Sequence, residues 1–356
     1  MQKRSIKDVE LKNKVVLLRA DYNVPLENGK ITNDFRITSS LSTIKYLLNH
    51  SVAKIAIISH LGRPDGKKEK SLSLAPVAQK LQELLPETPV EFIRDVSGPD
   101  VELAVKSAPK QGIILLENLR FWPGEEKNSL AFAEEIIESI KPDLFVQDGF
   151  AVIHRAHAST DAITKKLPTV AGLLLEKEIS NLSDVKDNPE HPFIVLIGGS
   201  KVEDKAPLIG KFLQTADHIY VGGKIAADGY AAPSDKITVA SDFIADADGA
   251  KLDIGQNSTA ETLELLKSAK LVLWNGVFGK TEDENFALSS TKIANFLGTH
   301  SEIKSIICGG DTVGFVETIK SKNPNLNFTL LSTGGGASLE FLLDRPLPGL
   351  ENIPDF

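Results

Sequence analysis

Two histidines flank an arginine in the stretch IHRAHAST, residues 153–160. Residues of these types, so close together, allow a metal half-site, an acid/base pair or a cationic grip on an anion. A metal wants its ligands on one face, and an i, i+3 pair on a helix supplies that. However, no further Cys or His lies near His154 and His157, and Arg155 would place a positive charge beside the ion. A histidine base is open, although a lone histidine is more often structural. Arg155 gripping an anion, with the histidines assisting, is the reading the local chemistry favours. Arg19, Arg36, Arg63 and Arg120 strengthen it, because each sits at or just past an apolar run or in a nearby loop. A guanidinium offers a planar fork of donors that matches carboxylate or phosphate. Each arginine taken singly pairs with a neighbouring acid about as readily. As a group they would repel one another unless an anion sat among them.

The second half of the chain carries different chemistry. IGGSKVEDK (197–205), CGGDT (308–312) and STGGGAS (332–338) place glycines where an apolar run gives way to a helical pattern. Glycines there let backbone N–H groups and the positive end of a helix face a phosphate. Lys201 and Lys205 add charge, and Asp311 offers one carboxylate to Mg²⁺, which prefers one or two carboxylates plus phosphate oxygens. None of the three has the Walker A spacing. One glycine turn is weak evidence; three in one half point to a polyphosphate. An arginine-rich half and a glycine-rich half together imply phosphoryl transfer between a nucleotide and a small anionic acceptor. That chemistry asks for positioning and charge neutralisation rather than a triad.

The elements that must position these groups are legible as a rhythm. KVVLLRADYNVP, AKIAIISHLGRP, GIILLENLRF and DLFVQDGF form one set of apolar runs. PFIVLIGGSK, HIYVGGK, LVLWNGVFG, SIICGGDT and FTLLSTGGG form another. Their β-branched, continuously apolar character fits strands buried on both faces. SLAPVAQKLQELL, with Ser73 as its cap, SLAFAEEIIESI, APLIGKFLQTA and DTVGFVETIKS recur at helical spacing. Alternating strand and helix means parallel sheets, and ligands of such sheets bind beyond the strands' carboxyl ends. Two sheets with different mouths imply two domains, and LPTVAGLLLEKEISNLSDV (167–185) reads as the helix linking them. Length agrees: 356 residues suit two or three domains.

Composition narrows the partners. The chain is 42% hydrophobic and 25% charged, with a net charge of -8, so it is not a general polyanion binder and no nucleic acid is expected. Its single cysteine, Cys308, permits no internal disulfide and no zinc cluster, which weakly favours a reducing cytoplasm. The polar start lacks a signal-peptide core. No apolar run approaches the roughly 20 residues of a membrane helix, so a cytoplasmic location is expected.

RADYNVP, SHLGRP, ENLRF, HRAHAST, GGSKVEDK, WNG, GGDT and STGGGASLE, in this order and spanning nearly the whole chain, resemble phosphoglycerate kinase. The resemblance implies an α/β fold of two Rossmann-like domains whose parallel sheets face a central cleft, joined by a hinge helix. Residues 1–168 plus the returning tail 337–356 would bind 3-phosphoglycerate, and 169–336 the nucleotide. It implies a glycolytic, monomeric enzyme with reversible transfer between 1,3-bisphosphoglycerate and ADP, giving 3-phosphoglycerate and ATP with Mg²⁺. The acid site would comprise Asp21, Asn23, Arg36, the run His60, Leu61, Gly62 and Arg63, and then Arg120 and Arg155. The nucleotide site would comprise Lys205, Gly222, Gly223, Asn275, Glu282, Gly309, Gly310, Asp311 and Thr312. Arg36, Lys201, Gly310 and Gly334 would act on the transferring phosphoryl, with the amides from Gly334 to Gly336 approaching it, and Asp311 would organise the metal. LSTGGG and the helix near residues 170–185 would be hinges.

The departures from the family pattern gather in the nucleotide half. GGKIA has Lys224 where a third glycine is usual, Ser200 replaces an alanine, and WNGVFGKTEDE differs at Val277, Lys280 and Thr281. The chain is also short by a helix between GGKIA and DIGQNST. Two other readings therefore stand beside an active kinase. One is a relative that binds the acid without productive nucleotide binding. The other is a kinase of altered nucleotide or acid preference.

Overall fold

A computed structural model describes residues 2–356. The chain divides into two compact units, one running to Ile179 and regaining Pro346–Phe356, the other Ser180–Arg345.

The first unit alternates β1 (Val15–Arg19), α1 (Phe35–Asn49), β2 (Lys54–Ile58), α2 (Ala75–Leu84), β3 (Val90–Ile93), α3 (Pro99–Ser107), β4 (Gly112–Leu116), α4 (Leu130–Ile140), β5 (Leu144–Gln147) and β6 (Thr169–Ala171). The strands form one six-stranded sheet in the order β3-β4-β2-β1-β5-β6, parallel throughout. Successive side chains of a strand point to opposite faces, and the two cores follow that alternation. Val16, Leu18, Ile55, Ile57, Ile113 and Leu115 pack with Ile37, Ile44 and Leu47 of α1 and Val77 and Leu81 of α2. Leu17, Ala56, Ile58, Ile114 and Leu116 pack on the other face with Val101 of α3 and Phe132 and Ile136 of α4. Burial on both faces explains why these strands read as unbroken apolar runs.

The helix α5 (Leu173–Asp187) leads out of this unit. The sequence reads as helical from about Pro168, but Thr169–Ala171 is a strand paired with Phe145–Gln147. Thr169 and Val170 are β-branched and fill that edge, and the helix starts only after Gly172. Thr43 Oγ accepts the Leu173 N–H at 2.9 Å, and Asp148 Oδ1 accepts those of Leu174 and Leu175, each at 3.1 Å. These bonds tie the first turn of α5 to the first unit. The compact units therefore separate inside α5, beyond the expected break at 168/169. At the other end, Asp344 pairs with Lys186 and Lys211, which keeps residues 337–345 with the second unit rather than with the tail. The tail itself packs on the first unit, where Gly349 N donates to the Ile153 carbonyl at 2.9 Å and Asn352 to Thr164 at 3.0 Å.

The second unit alternates β7 (Phe193–Ile197), α6 (Val202–Phe212), β8 (His218–Val221), α7 (Gly223–Ala227), β9 (Ile237–Val239), α8 (Gln256–Leu266), β10 (Leu271–Asn275), α9 (Leu288–Thr299), β11 (Lys304–Cys308), α10 (Gly310–Lys322), β12 (Leu330–Leu331) and α11 (Gly336–Leu342). Its six strands are parallel, in the order β9-β8-β7-β10-β11-β12. That is the dinucleotide-fold order, with its switch point between β7 and β10. Between α7 and α8, Phe243–Ala245 and Lys251–Ile254 form a small antiparallel pair. Among the described residues no helix is long and apolar enough to cross a membrane.

Candidate functional site

In the first unit the polar groups gather past the carboxyl ends of β1, β2 and β4. Asp21 follows β1 and pairs with Arg36, which stands in the first turn of α1. Asp21 Oδ1 also accepts the Asn23 N–H at 3.0 Å. Asn23 Oδ1 accepts the Gly62 N–H at 2.9 Å, and Arg120 donates to the Gly62 carbonyl at 2.7 Å. Asp21, Asn23, Arg36, Gly62 and Arg120 are thus one connected group, and His60 Nδ1 lies 3.8 Å from Asp21 Oδ1. Arg120 also pairs with Glu126 at 3.3 Å. Arg63 is exposed at the end of the same loop, and Leu61 is buried beneath it. Arg155, half-buried, donates to His154 Nε2 at 3.3 Å.

The electrostatics carry the imprint of crowded cations. Burial and the charges of Arg19, Arg120, Arg36 and His157 hold His60 well below the usual histidine range. His157 is pushed down to about 4 by burial, then by Arg120, Arg19, Arg155 and His154. Burial lowers Arg120 as well, with Arg155 and Arg19 adding to it. Both histidines are therefore neutral near pH 7, and an anion entering here meets guanidinium groups, of which Arg36 is paired with Asp21 and Arg120 with Glu126. Among the described residues no group of three or more His, Cys, Asp or Glu side chains assembles to hold a metal.

Arg19 is the member of the arginine group that does not reach the mouth. It is fully buried, directed inward onto Ser159 at 2.8 Å. Glu125 and Ser159, which support it, carry no local sequence signal, since 34 positions separate them. Asn118 was also missed. Its side chain accepts from Leu61 N at 3.1 Å and Arg120 N at 3.1 Å, and donates to the Leu61 carbonyl at 2.6 Å and the Leu72 carbonyl at 2.9 Å. One buried amide thereby clamps SHLGRP to ENLRF. An asparagine directly behind an apolar strand is the one sequence clue to that role.

In the second unit the three glycine stretches follow β7, β11 and β12. Lys205 Nζ donates to Asn275 Oδ1, joining α6 to the end of β10. Burial lowers the Lys205 pKa, while Asp204, Cys308 and Asp311 oppose it. Asn275 is fully buried, yet its Nδ2 has no hydrogen-bond partner among the described residues. A Cβ on Gly309 would lie 3.5 Å from that nitrogen. Gly310, Gly335 and Gly336 face open space, and Gly309 caps α10 with φ +91°. Thr312 is buried and its hydroxyl accepts the Gly276 N–H at 2.9 Å. Gly334 already donates to Ser332 Oγ at 3.1 Å. Lys201 is exposed at the N-cap of α6.

Other glycines serve packing. A Cβ on Gly276, whose φ is +102°, would meet the Gly198 carbonyl oxygen at 2.2 Å, and one on Gly223 would meet Gly199 N at 2.9 Å. Gly222 presses against the Phe278 ring, where a Cβ would come within 2.7 Å. The turns after β7, β8 and β10 interlock.

Glu282 and Asp311 line one pocket of about 590 Å³ with Thr281, Gly314, Phe315 and Thr318, a volume within the usual range for small-molecule ligands. Lys224 pairs with Asp228 at 2.7 Å in an exposed i, i+4 contact. Asp311 is exposed in the first turn of α10. One carboxylate beside open backbone donors fits a hard cation that arrives on phosphate oxygens, not an all-protein cage.

Comparison with known proteins agrees over the whole chain. The phosphoglycerate kinase family model matches residues 6–237 and 225–345. The two matches overlap at residues 225–237, a stretch that begins inside GGKIA. A phosphoglycerate kinase of Moorella thermoacetica is 39% identical over 396 aligned positions, covering 98% of each chain. One of Akkermansia muciniphila is 37% identical over 406, covering 100% of this chain and 98% of its own. The structure of phosphoglycerate kinase from Coxiella burnetii aligns with a TM-score of 0.79 at 31% identity, covering 99% of this chain and 98% of that one. The Pyrococcus horikoshii enzyme gives 0.86 at 27%, covering 98% of both. The chain belongs to the phosphoglycerate kinase family, whose glycolytic phosphoryl transfer it shares.

Proposed function

We propose that the first unit binds 3-phosphoglycerate or 1,3-bisphosphoglycerate, that the second binds ADP or ATP with Mg²⁺, and that the chain works as a cytoplasmic monomer. The observation that carries the reading is the cluster of arginines past β1, β2 and β4, where burial first, and then guanidinium charge, holds both His60 and His157 low. Such a cluster is relieved by a small dianion. Asp21, Asn23, Arg36, His60, Leu61, Gly62, Arg63, Arg120 and Arg155 form the acid site in this reading, with Asp21 orienting Arg36 and the buried Leu61 fixing the loop.

The nucleotide site takes Lys205, Gly222, Gly223, Asn275, Glu282, Gly309, Gly310, Asp311 and Thr312. The partnerless Nδ2 of Asn275 and the open backbone at Gly310 are the donors that support a phosphate here, with Gly309 close against Asn275. Gly222 and Gly223 contribute by shaping the turn. Thr312 contributes by tying Gly276 to α10. Mg²⁺, held by Asp311, would neutralise phosphate charge when bound. A carboxylate oxygen of 3-phosphoglycerate attacks the γ-phosphorus, and its bond to the bridging oxygen of ADP breaks. The acceptor is already ionised, so no general base is needed. Arg36, Lys201, Gly310 and Gly334 share the charge on the transferring group. Donors fixed in advance act strongly where water is excluded.

A coupled assay of ATP- and Mg²⁺-dependent phosphorylation of 3-phosphoglycerate tests the reading. Turnover is expected. Calorimetric binding of the acid without turnover or nucleotide binding would leave the binding-only relative as the correct account.

A further inference from the structure

Behind the acid cluster lies a cation that no solvent reaches. Arg19 ends β1 and directs its donors inward. Its Nε donates to Ser159 Oγ at 2.8 Å, one terminal nitrogen donates to the Ala20 carbonyl, and the other lies 3.2 Å from His60 Nδ1. Glu125, fully buried, anchors this arrangement through Ser159, whose hydroxyl donates to Oε1 at 2.6 Å and whose N–H donates to Oε2 at 3.0 Å. The Ser159 hydroxyl thus spans the buried acid and the buried base.

A guanidinium only donates. His60 Nδ1 must therefore accept from Arg19, and the ring proton belongs on Nε2. The rival arrangement, with Nδ1–H donating to Asp21, is not supported by distance. Asp21 Oδ1 is 3.8 Å from Nδ1, outside hydrogen-bond reach, and Asp21 already serves Asn23 N and Arg36. The cations facing His60 are Arg19, Arg36 and Arg120, with His157 nearby, and none favours a charged ring.

We propose that Arg19, anchored by Ser159 and Glu125, is a positioning residue that fixes His60 as a neutral imidazole with Nε2–H available to donate to the acid substrate. The proposal rests on the reading of His60 as an acid-site residue. It assigns a task to three buried groups, Arg19, Glu125 and Ser159, that never meet the ligand. Arg19 acts through histidine geometry, not through its own charge on the substrate.

Long-range ¹H–¹⁵N spectra of the full chain with labelled histidine, the His60 signal assigned with His60→Ala, test it directly. At pH 7 the expected pattern is a bare Nδ1 and a protonated Nε2. A proton on Nδ1, or a charged ring, would overturn the proposal in the wild-type protein alone. Ser159→Ala removes the acceptor for Arg19 Nε and the tie to Glu125. It is expected to mix the His60 tautomers and raise KM for 3-phosphoglycerate by roughly tenfold, the scale of one hydrogen bond to a charged group, with KM for ATP unchanged. Arg19→Lys, if folded, should do the same. An unaltered tautomer and KM in Ser159→Ala would overturn the relay even if His60→Ala weakens acid binding. Acid binding unchanged in His60→Ala would instead sink the acid-site reading, and this proposal with it.

Discussion

At the scale of single residues, glycines of identical sequence appearance do two different jobs. Gly276 is locked by contact, and Gly310 is open. Gly276→Ala adds a methyl where the Gly198 carbonyl oxygen would be 2.2 Å away, at φ +102°. A loss of about 3 kcal/mol or more is expected from strain and overpacking together, read as a fall in the urea midpoint. Gly310→Ala meets nothing within 4 Å, so the midpoint should hold while KM for ATP rises. Equal destabilisation by the two would refute the division. The same contrast explains what the sequence left illegible. The glycine clusters were visible as turns at strand ends, but which backbone a given glycine approaches depends on neighbours from other strands. Arg19 shows the converse: it lies only two residues before Asp21, yet its side chain is buried on Ser159, itself bonded to Glu125, and both lie far along the chain.

At the scale of elements, the strands and helices that carry the site were legible because burial on both faces leaves an unmistakable apolar run. The strands at 90–93, 169–171 and 237–239 were not. They are short, and their fit depends on the partner strand. Ser73 is a smaller case. It was read as the helix cap but sits before the N-cap Leu74, donating to Glu117 at 2.7 Å while accepting from Ala75 N at 3.2 Å. The start of α5 rests on Asp148, whose carboxyl burial pushes up to about 7 against the opposing bonds from Thr43, Leu175 and Leu174. Its Oδ2 has no partner among the described residues. An acid whose folded pKa is raised keeps its proton in the folded state between its unfolded value near 3.8 and about 7. Its stabilising contribution is whole below that window and is lost as pH rises through it. Asp148→Asn has no such proton to lose. The urea stability of the wild type should therefore fall relative to Asp148→Asn from pH 5 to 7, by up to about 1.4 kcal/mol per pH unit, and level off above pH 8. A difference that shrinks as pH rises would contradict the raised pKa.

At the scale of the whole molecule, two units of different chemistry share one chain, and each encloses its own sheet. Their ligands should therefore protect them separately. Hydrogen exchange with 3-phosphoglycerate at 100 times its Kd should slow amides around β1, β2 and β4, since such a ligand adds about 2.7 kcal/mol to the unit that binds it. ADP at the same multiple should slow those around β7, β10 and β11. Either ligand protecting both units equally would show that they open as one.

The short antiparallel pair at 243–254 has a consequence for how this chain would tolerate a change of length. Both ends of that segment are fastened by carboxylates. Asp242 accepts the N–H groups of Asn257 at 3.0 Å and Ser258 at 2.8 Å at the start of α8, and Asp253 accepts that of Ser289 at 3.1 Å at the start of α9. The tip between them is an exposed turn that closes on itself through Asp246 and Ala250. Trimming or lengthening the tip leaves both helix caps in place. The segment is a splice point, and a foreign peptide grafted between Asp248 and Gly249 would extend a loop whose stem is already clamped.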